Sequence, residues 1–111
     1  MSLSITSKIN KKTALLAITG EVDMFSSPEA RKEIANLVKK KVERIVVDLT
    51  GVSYMDSSGV ATLIEGLQMC HKYNGTLVVA GLRQNVREVF ELTKLDKIFK
   101  IYNDSETALK E

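Results

Sequence analysis

The chain is poor in the residues that make staples and metal sites: its 111 residues include one cysteine, one proline and one histidine. Cys70 has no mate for an intramolecular disulfide, and a lone His71 leaves no soft ligand set for a structural zinc. Cys70 is therefore expected in the core and its neighbour His71 on the surface. No apolar run approaches the roughly 18 residues of a membrane span. The N-terminus also lacks the charged-then-apolar order of a signal peptide, so a cytoplasmic protein is expected. The formal net charge is only +2, and the lysines are not interleaved with aromatics, which argues against nucleic acid as a partner. Gly-x-Ser-x-Gly elbows, phosphate-cradling glycine loops, internal repeats and Pro/Gly-rich linkers are all missing. No cofactor or metal is implied.

What remains is an ordinary globular composition, 44% hydrophobic and 27% charged, long enough for one core and read as a single domain over residues 1–111. Ser4–Ile9 and Thr13–Thr19 read as a hairpin around Asn10-Lys11-Lys12, with Gly20 ending the second strand. Glu21–Phe25 follows as a loop. Ser26-Ser27-Pro28-Glu29 opens a helix, either with Ser27 as cap before Pro28 or with Ser26 and Glu29 as a capping box. Ile34, Leu37, Val38 and Val42 fall at helical spacing, and Lys39-Lys40-Lys41 lies in the last turn, where cations complement the dipole. Ile45–Leu49 is a strand buried on both faces and placed at the sheet centre. A second helix buries Val60, Leu63, Ile64, Leu67 and Cys70 until Asn74-Gly75 stops it. Thr76–Ala80 is another strand ended by Gly81, and a third helix turns Val86, Val89, Phe90 and Leu92 inward. Leu95–Tyr102 holds a last short strand, and Asp104 or Ser105 caps a final helix with Ala108 and Leu109. Strands alternating with helices after a hairpin predict an α/β fold, a mixed and mostly parallel sheet built from right-handed crossovers.

In such sheets sites gather beyond the carboxyl ends of the strands, which is where Asp56-Ser57-Ser58-Gly59 falls. Asp and Ser at a helix start accept from backbone N–H groups that lack intrahelical partners. A phosphate on a serine there would meet both the helix dipole and a neighbouring carboxylate. His71 lies about 21 Å from Ser57 along the same helix at roughly 1.5 Å per residue, so a Ser–His relay is excluded and no catalytic residue is assigned.

Val47-Asp48-Leu49-Thr50-Gly51-Val52-Ser53-Tyr54-Met55-Asp56-Ser57-Ser58-Gly59 resembles the signature of bacterial anti-sigma-factor antagonists of the STAS domain family. Gly20-Glu21-Val22-Asp23 resembles that family's earlier Gly-Glu-Leu-Asp element, and the order of elements agrees over almost the whole chain. The resemblance implies a non-enzymatic partner switch. The unmodified protein binds an anti-sigma factor that is also a serine kinase and so releases the sigma factor; the kinase phosphorylates the serine after the motif aspartate, here Ser57, and a metal-dependent serine phosphatase reverses this. Asp23 matches a family position associated with partner contact, and the partner-binding surface is expected to comprise Asp23, Met24 and Phe25, if the Gly20 loop lies at the same end of the sheet, with Asp56, Ser58, Gly59 and Val60; Ser58 is read as structural, with its spacing leaving it open as an acceptor. For Met24 and Phe25 the alternative is a hydrophobic staple closing the core over the helix start. Two positions depart from the family pattern: Val60-Ala61 stands where many members have Leu-Gly, stiffening the first turn, and Val22 replaces a leucine. The competing function is a STAS interaction module of a larger signalling or lipid-transport assembly.

Overall fold

The computed structural model describes residues 3–111. Five strands lie in sequence order: β1 (Leu3–Asn10), β2 (Thr13–Val22), β3 (Arg44–Met55), β4 (Thr76–Ala80) and β5 (Ile101–Tyr102). β1 is antiparallel to β2, and every later neighbour is parallel. The helices are α1 (Ser27–Lys39), α2 (Ser57–His71), α3 (Gln84–Leu92) and α4 (Ser105–Lys110), with a 3-10 turn at Leu95–Lys97. Because β2 to β5 step across the sheet in one direction, right-handed crossovers put α1, α2 and α3 on the same face. Their apolar stripes meet Leu16, Ile18, Ile45, Val47, Leu77 and Val79 there in one core. On the other face the short α4 covers a smaller cluster of Val46, Val78, Ala80, Tyr102 and Ala108. Burial on both faces explains the unbroken apolar run of β3.

The strands bordering the site are longer than the sequence indicates. β2 continues through Gly20 to Val22, crossing two irregularities in its pairing with β3, between Ala17 and Thr19 and between Gly20 and Glu21. Gly20 adopts φ +115, a conformation that favours glycine, and so kinks the strand without ending it. β3 likewise runs past Leu49 and Thr50-Gly51 to Met55. Ser26 stands at the N-cap of α1, but its side chain makes no cap hydrogen bond, so the capping-box reading is replaced by the turn described below.

α1 ends at Lys39, with Lys40 as cap. Lys41 (φ +54) then donates to the Val38 carbonyl and Val42 to that of Leu37, the paired bonds of a Schellman stop. Val42 is buried beyond the helix and not on it. α2 stops in the same way, with Asn74 (φ +67) donating to His71 O and Gly75 to Cys70 O. Cys70 is in the core and His71 is exposed. Leu92 is the exception among the expected core residues: it is 84% exposed, because Val86 and Phe90 at i, i+4 define the inner face and Leu92 lies beyond its edge.

Candidate functional site

β2 and β3 end side by side, Glu21 opposite Tyr54 and Val22 opposite Met55. The Asp56 N–H donates to Val22 O at 3.2 Å, so the segment after β2 and the start of α2 are stitched into one surface. Asp56 is the N-cap of α2, in extended backbone, and its carboxylate accepts from Ser58 N at 2.8 Å and Gly59 N at 3.3 Å. The aspartate is thereby committed to the helix end and is not aimed at a neighbouring hydroxyl.

Ser57 is the first residue of α2 and is exposed, and its hydroxyl has no hydrogen-bond partner among the described residues. Ser58 is half-buried, with its carbonyl accepting from the Thr62 hydroxyl at 2.9 Å. Gly59 and Val60 are buried, so neither presents a side chain to a partner: they seat the site from beneath. A Cβ on Gly59 would lie 2.7 Å from Met55 Cγ and 2.9 Å from Val22 Cγ1. Only a glycine lets the helix start rest this closely on β2 and β3.

Asp23 organises the adjoining turn. Its Oδ1 accepts from Phe25 N at 2.9 Å and Ser26 N at 3.0 Å, while the Ser26 hydroxyl donates to Glu21 O at 2.7 Å and accepts from Asp23 N at 3.0 Å. The Ser26 and Phe25 N–H donors hold the Asp23 carboxyl below the usual carboxylate range, with partial desolvation opposing them. With the backbone tied inward, the two large side chains are left outside: Met24 is 63% and Phe25 88% exposed. They do not close the core as a staple. Tyr54, 48% exposed at the end of β3, and the pair Arg83 and Asn85, which no sequence motif includes, also belong to this surface. β4 stops at Ala80, opposite Asp48, and beyond it Arg83 Nε donates to Thr50 O at 2.9 Å and Asn85 Nδ2 to Ser53 O at 2.8 Å. No sequence signal marks them, since their role depends on β3 outrunning its neighbour.

The model of the STAS domain family matches residues 4–108. The chain belongs to the STAS domain family. It is 29% identical over 110 residues to the anti-sigma-B factor antagonist of Bacillus subtilis (strain 168), covering 99% of this chain and 100% of that protein. It is 30% identical over 86 residues to the anti-sigma-B factor antagonist of Listeria monocytogenes, covering 78% of this chain and 75% of that one. Among solved structures, an anti-sigma factor antagonist from Mycobacterium paratuberculosis superposes with a TM-score of 0.89 at 26% identity, covering 98% of this STAS chain and 92% of the other. STAS antagonists of this kind are non-enzymatic binding proteins. Ser57 and His71 stand at opposite ends of α2. Among the described residues no helix of this STAS domain is long and apolar enough to cross a membrane.

Proposed function

We propose that this chain is an anti-sigma-factor antagonist working by partner switching in the cytoplasm. With Ser57 unmodified it binds an anti-sigma factor and frees a sigma factor. That anti-sigma factor is also the serine kinase: the Ser57 oxygen attacks the γ-phosphorus of ATP, ADP leaves, and the hydroxyl proton passes to a base of the kinase. A serine phosphatase hydrolyses the phosphoester and restores binding. The observation that carries this reading is the exposed, unpartnered Ser57 hydroxyl beside a carboxylate already engaged by the helix.

The chemistry gives the switch its sign. A phosphoryl group adds about −1.5 to −2 charges at neutral pH. The α2 N-terminus offsets part of that charge within the domain. A partner surface shaped around a neutral hydroxyl has to desolvate the dianion without a cation in place, and Asp56 repels it. Affinity therefore falls further than fold stability. Met24, Phe25, Asp23, Asp56, Ser58 and Tyr54 border the contact.

Incubation with a cognate anti-sigma kinase, ATP and magnesium is expected to add one phosphate, mapped to Ser57 by intact mass and fragmentation. Phosphate found only on Ser58, or no mass change with a kinase that binds the chain, rejects the assignment. Ser57→Ala is expected to retain binding and Ser57→Asp to weaken it tenfold or more, about 1.4 kcal/mol. An aspartate variant that binds as tightly as the parent contradicts the electrostatic account.

A further inference from the structure

At the end of the molecule opposite Ser57, the C-terminal ends of α1 and α2 border a shallow, open cleft lined by Val38, Lys39, Lys41, Met69, Lys72 and Tyr73. Three of its lining residues, Val38, Met69 and Tyr73, are apolar or aromatic and three are lysines. Among the described residues, Lys39, Lys41 and Lys72 are in no ion pair.

The rim is also held in shape. Tyr73 is pinned by its hydroxyl, which donates to Val42 O at 2.7 Å, and the Lys41 ammonium sits 5.7 Å from the centre of the Tyr73 ring. Lys41 occupies the left-handed position that ends α1, where glycine is the usual residue. A lysine there is held in a conformation that L side chains seldom adopt and places a cation over the cleft.

The other end of the chain carries the complementary shape and charge. Phe25 and Met24 project as an apolar knob, and Glu21, Asp23, Glu29 and Asp56 cluster at the same end, where β2 and β3 finish and α1 and α2 begin. Knob and cleft lie at opposite ends of the same two helices, so they cannot meet within one molecule. We propose that the chain docks head to tail on a second copy of itself, the Met24-Phe25 knob of one copy entering the lysine-rimmed cleft of the next. The contact is heterologous, so it leaves a free knob and a free cleft at the two ends of any chain of copies. It is also small, which makes it weak and sensitive to salt. On the function proposed above, a docked knob is withheld from the anti-sigma factor, and self-association holds the antagonist in reserve at high concentration.

Sedimentation velocity and ¹⁵N-resolved NMR of the full chain test this. The wild type is expected to gain sedimentation coefficient with concentration at low salt and to lose that gain at high salt. Met24→Ser with Phe25→Ser removes the knob, and Lys41→Glu with Lys72→Glu removes the cleft; each variant alone is expected to stay monomeric with a native, dispersed spectrum. Mixed together, the knobless variant still offers a cleft and the cleftless one a knob, so the pair forms a 1:1 dimer that grows no further. A wild type that stays monomeric at every concentration, or a mixture that does not pair, overturns the proposal. So does a cleft whose amide resonances move with phosphatidylglycerol vesicles but not with a second copy, which identifies a membrane contact instead. Binding of an anti-sigma factor is measured separately and is expected to survive in the cleftless variant, so failure of self-association leaves the partner-switching reading standing.

Discussion

Gly59 shows how closely one residue can couple core and site. A Cβ there meets the Met55 and Val22 side chains and comes within 3.1 Å of the Val22 carbonyl, and the carbonyl can move only if β2 moves. Gly59→Ala is expected to destabilise the domain by about 1–3 kcal/mol, the range for forced overpacking, read as a lower urea midpoint with an unchanged slope. Asp56→Ala leaves Ser58 N and Gly59 N without their acceptor and is expected to cost about 1 kcal/mol, while Asp56→Asn keeps most of the cap. Asp23 adds a pH dependence. Its pKa is lowered from 3.8 by the Ser26 and Phe25 donors, so the unfolded chain takes up a proton first as pH falls. The contribution of the tied turn is complete above the ordinary carboxylate range and disappears as pH drops through the depressed value. In an NMR titration the Phe25 and Ser26 amides should follow the Asp23 carboxyl with a midpoint below 3.8, and Asp23→Asn should abolish that step. A midpoint at or above the ordinary value contradicts the turn.

At the scale of elements, α4 is tied to the sheet by one arginine besides its apolar contacts and its Asp104 cap. Arg44 Nη2 donates to Ala108 O at 2.8 Å and to the Tyr102 hydroxyl at 3.1 Å, and its guanidinium lies 5.6 Å from the Tyr102 ring centre. Arg44→Met is expected to loosen α4 by about 1.5–3 kcal/mol, the usual worth of a charged hydrogen bond. The amides of residues 105–110 should then exchange faster while those of β3 keep their protection. Which elements were legible follows from their burial. β4 and the first half of β3 announce themselves because burial on both faces writes an unbroken apolar run, and α2 because its cap and its Asn74-Gly75 stop are local chemistry. The second half of β3 is half-buried and contains Thr50-Gly51, so its period is lost and it resembles a turn. Gly20 misleads similarly, since a kinked strand and an ended strand use the same residue. The motif Asp56-Ser57 was readable as a helix start past a strand, and the knob at Met24 and Phe25 was nameable but not orientable. Whether those side chains seal the core or stand outside is decided by the Asp23 and Ser26 hydrogen bonds, which no periodicity records.

For the whole molecule, the shared direction of α1, α2 and α3 gathers their N-termini at the end bearing Ser57. Acidic side chains suit that end and lysines the other, and the sequence leans that way: Glu21, Asp23, Glu29 and Asp56 lie at one pole with Arg83, and Lys11, Lys12, Lys39, Lys40, Lys41 and Lys72 at the other with Glu43, which pairs with Lys12. The near-neutral sum hides this polarity. A phosphate on Ser57 enters at a helix start whose seat is fixed by Gly59, so the fold is expected to stay the same on modification. Circular dichroism of the phosphorylated chain should be superimposable on that of the unmodified one, with partner affinity changed; a large loss of helical signal would place the switch in unfolding and not in surface charge.

The sheet ends differently on its two sides. β5 offers two residues and β1 eight, so an intruding backbone has room to template on β1 alone. Lys8, with Lys11 and Lys12 at the hairpin tip, places like charges in register wherever copies try to stack along that margin. Trading Lys8, the one of the three that lies within β1 itself, for valine would leave the native backbone unstrained and remove a charge that guards this edge. Protection against edge-to-edge stacking thus falls to β1 and its hairpin tip, at the long margin of the sheet.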